Sequence, residues 1–510
     1  MLGDVVDEAA ARFGDATAYV AADGWSLSYR ELADRSRAVA AGMRRLGVTE
    51  GDVVALVLPT APEHVVAYVA AARLGAITAG VNTRLTAPER AAVLTRAEPR
   101  LVLATPDLAP TAAAVPVAEL VEVTEADGAG ALLAGLDRPD LADDLPSLRP
   151  DPDRPVAIVF TSGTTGTPKG AVFCQRQLDA ITGIDTGHRW AEAPGGASLS
   201  ATSLAHLGPT TKLAGTLHRG GSIVLVRRWR AAEALELTER HRMASVAGIP
   251  TQIALMLRHP DFDRRDLSSV RAIVMGGGPA TPALVREARR RFGAAVATRY
   301  SCTEAGIGLG TAFDDPPEDA EETVGRPHPG VELTLVVPGD PEATPVPVGE
   351  VGEVCLRSAA VMSGYWRDPE ATVAAFTPAG AVRTGDLGWL DDRGRLHLAG
   401  RAKEMYVRGG YNVYPQAVEA VLVEHPGVAE VAVVPRPDDV MGEVGVAVVV
   451  PADPAHAPTL DDLRAVAGDR LARHELPEAI VVTDALPLTA MEKVDRRSLA
   501  RRVARSADAG

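Results

Sequence analysis

Cysteine is nearly absent from this chain of 510 residues: only Cys174, Cys302 and Cys355 occur, far apart. That spacing excludes a disulfide framework and a zinc site built on paired cysteines, and it points to a reducing cytoplasm as the working compartment. Aromatic residues make up 4%, too few for the stacking platforms of single-strand nucleic-acid binders. Positive charge is short too, with 52 Lys and Arg against 67 Asp and Glu and a net charge of −15. Such a balance argues against partners that are nucleic acid or anionic membrane. No apolar run is long enough to span a bilayer. The best stretch, 65–81, is interrupted by Arg73 and reads as a buried helix running into a strand. The opening MLGDVVDEAAARF carries acids where a secretory leader needs a basic start. Gly-x-Ser-x-Gly, His-Glu-x-x-His and clustered Cys/His ligands are all missing.

Lysine is the scarcest charge of all. Of the 52 basic residues only Lys169, Lys212, Lys403 and Lys493 are lysine. Where arginine fills nearly every cationic position, a retained lysine is a candidate for a site that needs a compact, mobile ammonium. For any single one of them, survival by chance is the favoured account.

What is present is ample apolar material, 46% of the residues, enough for a sizeable core. The length suggests two to four domains at roughly 100–200 residues each. Short apolar runs (53–58, 101–104, 156–160, 223–226, 272–275) alternate with amphipathic stretches (32–46, 231–242, 282–292), a rhythm that predicts layered α/β structure. Residues 105–155 read as surface connections, and 331–337 with 349–357 as a β-rich sub-region. Around 396–408 the chain leaves this body. The last hundred or so residues then predict a small α+β lobe, with a frayed tail after Ala500.

The strongest local signal follows the run at 156–160: Thr161-Ser162-Gly163-Thr164-Thr165-Gly166-Thr167-Pro168-Lys169-Gly170. Hydroxyls and glycine-borne N–H groups can converge there on a polyanion, and Lys169 adds a point charge. It is not a Walker A loop, because Pro168 stands where that pattern has glycine. Further on come Met275-Gly276-Gly277-Gly278-Pro279, Tyr300-Ser301-Cys302-Thr303-Glu304, Arg383-Thr384-Gly385-Asp386, Gly400-Arg401-Ala402-Lys403-Glu404, Gly409-Gly410-Tyr411 and Glu492-Lys493. Thr281 occupies the position where a dinucleotide fingerprint needs glycine, so a Rossmann reading of the glycines at 276–278 fails. Taken singly, these segments also fit a tight turn, a surface acid, an Asx turn or a linker.

In this order they closely resemble the motifs of the acyl-adenylate-forming superfamily, which includes acyl- and aryl-CoA synthetases, and the likeness covers roughly residues 25–500. By that resemblance the hydroxyl loop (Thr161, Ser162, Gly163, Thr164, Thr165) with Lys169 would cradle ATP phosphates. Gly276, Gly277 and Gly278 would pack against adenine, and Tyr300, Ser301 and Thr303 would contact the nucleotide. Glu304 would hold Mg²⁺, while Asp386 and Arg401 would bind the ribose. Lys403 would be the pivot of a mobile C-terminal lobe, Gly409 and Gly410 would line the pantetheine tunnel for CoA, and Lys493 would reach back as a catalytic ammonium. His206 sits where the family has a residue at the acyl-pocket entrance, although a lone histidine is often structural. Two departures stand out: Ser301 replaces a glycine, and Glu492 replaces the glycine before the last lysine.

The resemblance thus implies an α/β fold with three parts: a large N-terminal domain of layered sheets (1–400), a hinge (401–405) and a small mobile C-terminal domain (406–510). It implies an AMP-forming ligase whose substrates are ATP, a carboxylic acid (fatty or aryl) and CoA. A carrier-protein thiol or an amine as acceptor, and a nucleotide-binding protein without catalysis, are the alternatives. The pocket segments 204–212, 248–253 and 305–309 read as small and apolar, with His206 as the polar exception.

Overall fold

The apolar runs at 53–58, 101–104 and 156–160 become inner strands of a seven-stranded sheet. Val53–Val57, buried at every residue, lies between Ile77–Gly80 and Leu101–Ala104 and runs parallel to both. Such a strand is covered on both faces, which is why its sequence shows no polar alternation. Pro155–Thr161 continues the parallel set beside Ile77–Gly80. Lys169–Cys174 then returns antiparallel, with Thr161 opposite Lys169, and Gly364–Tyr365 pairs on its far side. This computed structural model describes every residue except 117–118, 125–129, 162–167, 201, 279, 469, 490–492 and 508–510, and describes only the backbone of 505–507.

A five-stranded sheet follows in the chain. Ser245–Gly248, Ala272–Gly276 and Ala295–Tyr300 are parallel, and Leu309–Gly310 and Arg326–Pro327 are antiparallel additions. The expected β-rich sub-region is a four-stranded antiparallel sheet of Glu332–Val336, Gly352–Arg357, Val382–Leu390 and Leu396–Arg401. A smaller sheet joins Thr17–Val20 to Ser222–Leu225 in parallel.

Helix ends follow local chemistry. Tyr29–Arg45 starts at a capping box: Glu31 N–H donates to Ser28 Oγ (3.1 Å) and Ser28 N–H donates to Glu31 Oε2 (2.7 Å). Pro282–Phe292 starts at Thr281, whose Oγ1 accepts from Leu284 N–H (3.3 Å), and ends at Gly293 in the left-handed region (φ 64°). Thr281, which spoils a dinucleotide fingerprint, is therefore a helix cap.

The C-terminal lobe is built on Val428–Asp438 and Gly442–Pro451, antiparallel to each other, with Ala479–Val482 parallel to the second. Helices Pro415–Leu422 and Leu460–Ala467 cover one face through Val418, Leu422 and Leu463. The other face is covered by Arg496–Ala507. The expected fraying after Ala500 is corrected for 501–507, which continue this helix, while 508–510 lie outside the described residues. Leu499 and Val503, four residues apart on one helix face, bury themselves against Val434 and Val448, and that burial holds the helix. The reading of 105–155 as plain connection is corrected as well. It contains the short helix Ala109–Ala113 and the edge strand Glu119–Glu122, paired to Leu101–Ala104. That strand's burial is too slight to leave a periodic signature.

Candidate active site

Strand register builds the first part of the site. Arg401 lies directly across from Asp386 in the antiparallel sheet, and its Nε is 2.9 Å from Asp386 Oδ1. Tyr300, the last residue of its strand, donates its phenol proton to Asp386 Oδ2 (2.8 Å). Thr384 Oγ1 accepts from Asp386 N–H (3.1 Å) and donates to the Val354 carbonyl (2.9 Å). The buried carboxylate is thus held by Arg401 and Tyr300, and the backbone that carries it by Thr384. Burial, then Asp386, pushes the Tyr300 phenol well above its usual range, so it stays a donor.

Glu304 lies in the turn after that strand. Its Oε1 accepts a hydrogen bond from Tyr365 Oη (2.7 Å), and the Tyr365 ring has Lys169 Nζ 5.1 Å from its centroid. One aromatic side chain therefore links the lysine behind the hydroxyl loop to the carboxylate. Sequence reasoning missed Tyr365. Its ring partners, Glu304 and Lys169, lie 61 residues or more away in the chain, and no local pattern marks it.

These groups open into one cavity of about 1700 Å³, which takes Lys493 from the C-terminal lobe as part of its wall. The loop that carries Lys493 is closed by a bridge between Leu488 and Val494 and by Thr489 N–H donating to the Lys493 carbonyl (2.7 Å). Burial, then Arg401, lowers the Lys493 ammonium below the ordinary lysine range, against Asp386 and Glu404. His206 caps the helix Leu207–Thr211, and its Nε2 lies 3.1 Å from Asn82 Nδ2. Burial, then Lys493 and Arg84, pushes its imidazole down to about 4, so it is neutral near pH 7. Arg496 anchors the lobe beside this site, pairing with Glu404 (3.0 Å) and with Glu419 (2.6 Å).

Of the residues expected at the site, Thr161, Lys169, His206, Gly276, Gly277, Tyr300, Ser301, Thr303, Glu304, Arg401, Lys403 and Lys493 line this cavity. Asp386 stands just behind the wall, between Tyr300 and Arg401. A Cβ on Gly276 would meet the Arg299 carbonyl at 2.9 Å, so packing already requires glycine there. Gly278, Gly409 and Gly410 are not brought to the cavity among its lining residues. Ser162, Gly163, Thr164 and Thr165, with Glu492, lie outside the described residues. The expectation of an apolar pocket with His206 as its polar exception is corrected: Asp185, Lys212, Arg299 and His328 also line it. They come from four separate segments, and only the fold assembles them.

Among the described residues no group of three or more His, Cys, Asp or Glu could hold a metal by itself. No described helix is long and apolar enough to cross a membrane.

Comparison with known proteins agrees with this geometry. Residues 6–366 match the family described as AMP-binding enzyme, and residues 417–493 match the AMP-binding enzyme C-terminal domain. A feruloyl-CoA synthase from Amycolatopsis is 34% identical over 491 residues, covering 94% of both chains. An indoleacetate–CoA ligase from Aromatoleum aromaticum is 35% identical over 498 residues, again covering 94% of both. Among solved structures, the amide bond synthetase McbA from Marinactinospora thermotolerans superposes with a TM-score of 0.85 at 30% identity, over 99% of this chain and 100% of that one. The chain belongs to the AMP-binding enzyme family.

Proposed function

We propose that the protein is an AMP-forming carboxylic acid:CoA ligase of the cytoplasm. The observation that carries this reading is a single cavity walled by Lys169, Glu304 and Arg401 from the large lobe and by Lys493 from the small one. A substrate carboxylate oxygen attacks the α-phosphorus of ATP, the bond to the bridging oxygen breaks, and pyrophosphate leaves. Two anions must meet, so the protein's main task is charge neutralisation in a water-poor site. Lys493 supports the developing charge, Lys169 faces the phosphates with the hydroxyl loop, and Asp386 with Arg401 positions the ribose. Neutral His206, held by Asn82, borders the acyl entrance without adding charge. The donor set fits Mg²⁺, which takes one or two carboxylates and completes its shell with phosphate oxygens and water. Glu304 would hold it, and when bound it would offset charge on the triphosphate.

The CoA thiol then attacks the acyl-adenylate carbonyl and AMP leaves. For this step we assign residues 1–400 to the adenylate-forming domain, 401–405 to a hinge pivoting at Lys403, and 406–510 to a lid. Rotation of the lid would withdraw Lys493 and present Gly409 and Gly410. Pyrophosphate release should appear with ATP and an acid from a fatty, aryl and dicarboxylic panel, and thioester only when CoA is added. Lys493→Ala should abolish the first half-reaction and largely spare thioester formation from supplied acyl-adenylate. Equal loss of both would remove Lys493 from its assigned role. The likeness to an amide bond synthetase favours an amine acceptor as the second reading, in which product forms with an amine and none with CoA.

A further inference from the structure

Lys212 is the one lysine that no motif of the sequence accounts for. It lies between the helices Leu207–Thr211 and Leu213–His218, lines the main cavity, and its ammonium makes no hydrogen bond or ion pair with any described residue. Arg299 lines the same cavity. Its Nη1 donates only to the backbone carbonyls of Thr298 (2.8 Å) and Thr311 (2.6 Å), and no carboxylate neutralises it among the described residues. The one acid nearby, Asp185, is already taken by Arg219 (2.8 Å) and packs against Gly215, where a Cβ would meet Asp185 Oδ2 at 2.7 Å. His328 completes the group. Burial, then Arg299 and Lys212, lowers its imidazole below the ordinary range, so it adds no charge near neutral pH. The balance is Lys212, Arg299 and Arg219 against Asp185, an excess of two positive charges.

This end of the cavity is separate from the end where phosphate chemistry is expected. Tyr300 and Arg299 are neighbours on one strand, so their side chains leave opposite faces. Tyr300 reaches Asp386, and Arg299 reaches Thr311 and the Phe313 ring. The charges that act on Lys212 are Asp185, Arg219 and Arg299, whereas those that act on Lys493 are Arg401, Asp386 and Glu404. The two sets share no member. Burial comes first among the causes that lower the Lys212 ammonium, so it stands desolvated, with only Asp185 opposing it from a carboxylate already paired to Arg219. An uncompensated charge of this kind is costly, and an anion placed against it relieves the cost.

We propose that the acid activated by this enzyme carries a second carboxylate at the far end of its fatty or aryl tail, received by Lys212 and Arg299. The proposal rests on the ligase reading above and names its substrate class. One carboxylate meets the α-phosphorus near Lys493, and the other lies at the Lys212 end.

The test compares succinic, adipic, suberic and sebacic acids with their own monomethyl esters, matched in length and differing in one charge. Pyrophosphate release gives kcat/KM, and titration calorimetry gives affinity without turnover. For the best chain length the wild-type protein should prefer the diacid by at least about tenfold in both readouts, as expected when a buried charge gains its partner. Lys212→Met keeps the length of the side chain and removes its charge. It should bring the diacid-to-ester ratio down by about tenfold, a change that a purely structural role would not produce. Equal or better use of the esters by the wild-type protein overturns the proposal, as does a ratio unchanged in Lys212→Met. If no acid releases pyrophosphate, the ligase reading falls, and the calorimetric ratio still decides the tail assignment.

Discussion

His64 and His206 both line the cavity, and burial is the main cause that pushes each imidazole down to about 4 from an ordinary 6.5. In the folded protein both are neutral above about pH 5. In the unfolded chain each takes a proton near 6.5, so between those values the unfolded state binds more protons. Stability is therefore full above 6.5 and falls as pH drops toward 4, by up to about 3 kcal/mol for each histidine over the whole window. Urea denaturation at pH 7 and pH 5 should show the loss, and His64→Gln should reduce it by about half, leaving the His206 share. A midpoint equal at the two pH values would mean that water reaches these rings. At this scale the sequence was informative wherever a residue type is scarce or a motif is contiguous: Lys169, Lys493 and Glu304 could all be named in advance. It was silent on Tyr365 and Asn82, whose side-chain contacts with Glu304 and His206 join segments far apart in the chain.

Elements show a different balance. Runs such as 53–57 and 101–104 declared themselves as buried strands because packing on both faces leaves no polar position. The helix Arg496–Ala507 did not, because its burial rests on Leu499 and Val503 in an otherwise arginine-rich stretch. Propensity and packing conflict openly at Gly42, inside the helix Tyr29–Arg45. By propensity, alanine there gains about 1 kcal/mol over glycine. A Cβ at Gly42, however, would collide with the backbone carbonyl of Leu136, part of the 3₁₀ turn Ala134–Leu136 that packs against this helix. Backbone cannot step aside as a flexible side chain can, and overpacking of this kind costs about 1–3 kcal/mol. Gly42→Ala should therefore lower stability in a thermal or urea melt, reversing the propensity expectation. A melting temperature equal to or above that of the wild-type protein would place the turn further from the helix.

For the whole molecule the question is how one cavity serves two reactions. Lys493 stands in its wall, while Gly409 and Gly410 sit at the tip of a hairpin outside that wall. Arg408 pairs with Tyr411, so the two glycines form a two-residue loop with φ of 56° and 89°, the positive values that such a hairpin turn requires. Turn geometry alone thus accounts for glycine at both positions, and a role in admitting pantetheine needs a separate test. Nothing lies within 4 Å of a Cβ on Gly410, so in the present posture there is open space for a side chain to start from this position. Gly410→Ala and Gly410→Leu both incur the same backbone strain, about 1–2 kcal/mol, and differ only in volume. If the lid turns to bring this loop over the cavity, pyrophosphate exchange should match between the two variants. Thioester formation should fall at least about 100-fold further in the leucine variant, because a branched side chain blocks a ligand as thin as pantetheine. Equal thioester rates would take the glycine pair out of the CoA path and leave it a turn. A loss of exchange in the leucine variant alone would mean that the loop already touches the adenylation posture, and that the two reactions share more of the lid than a simple rotation allows.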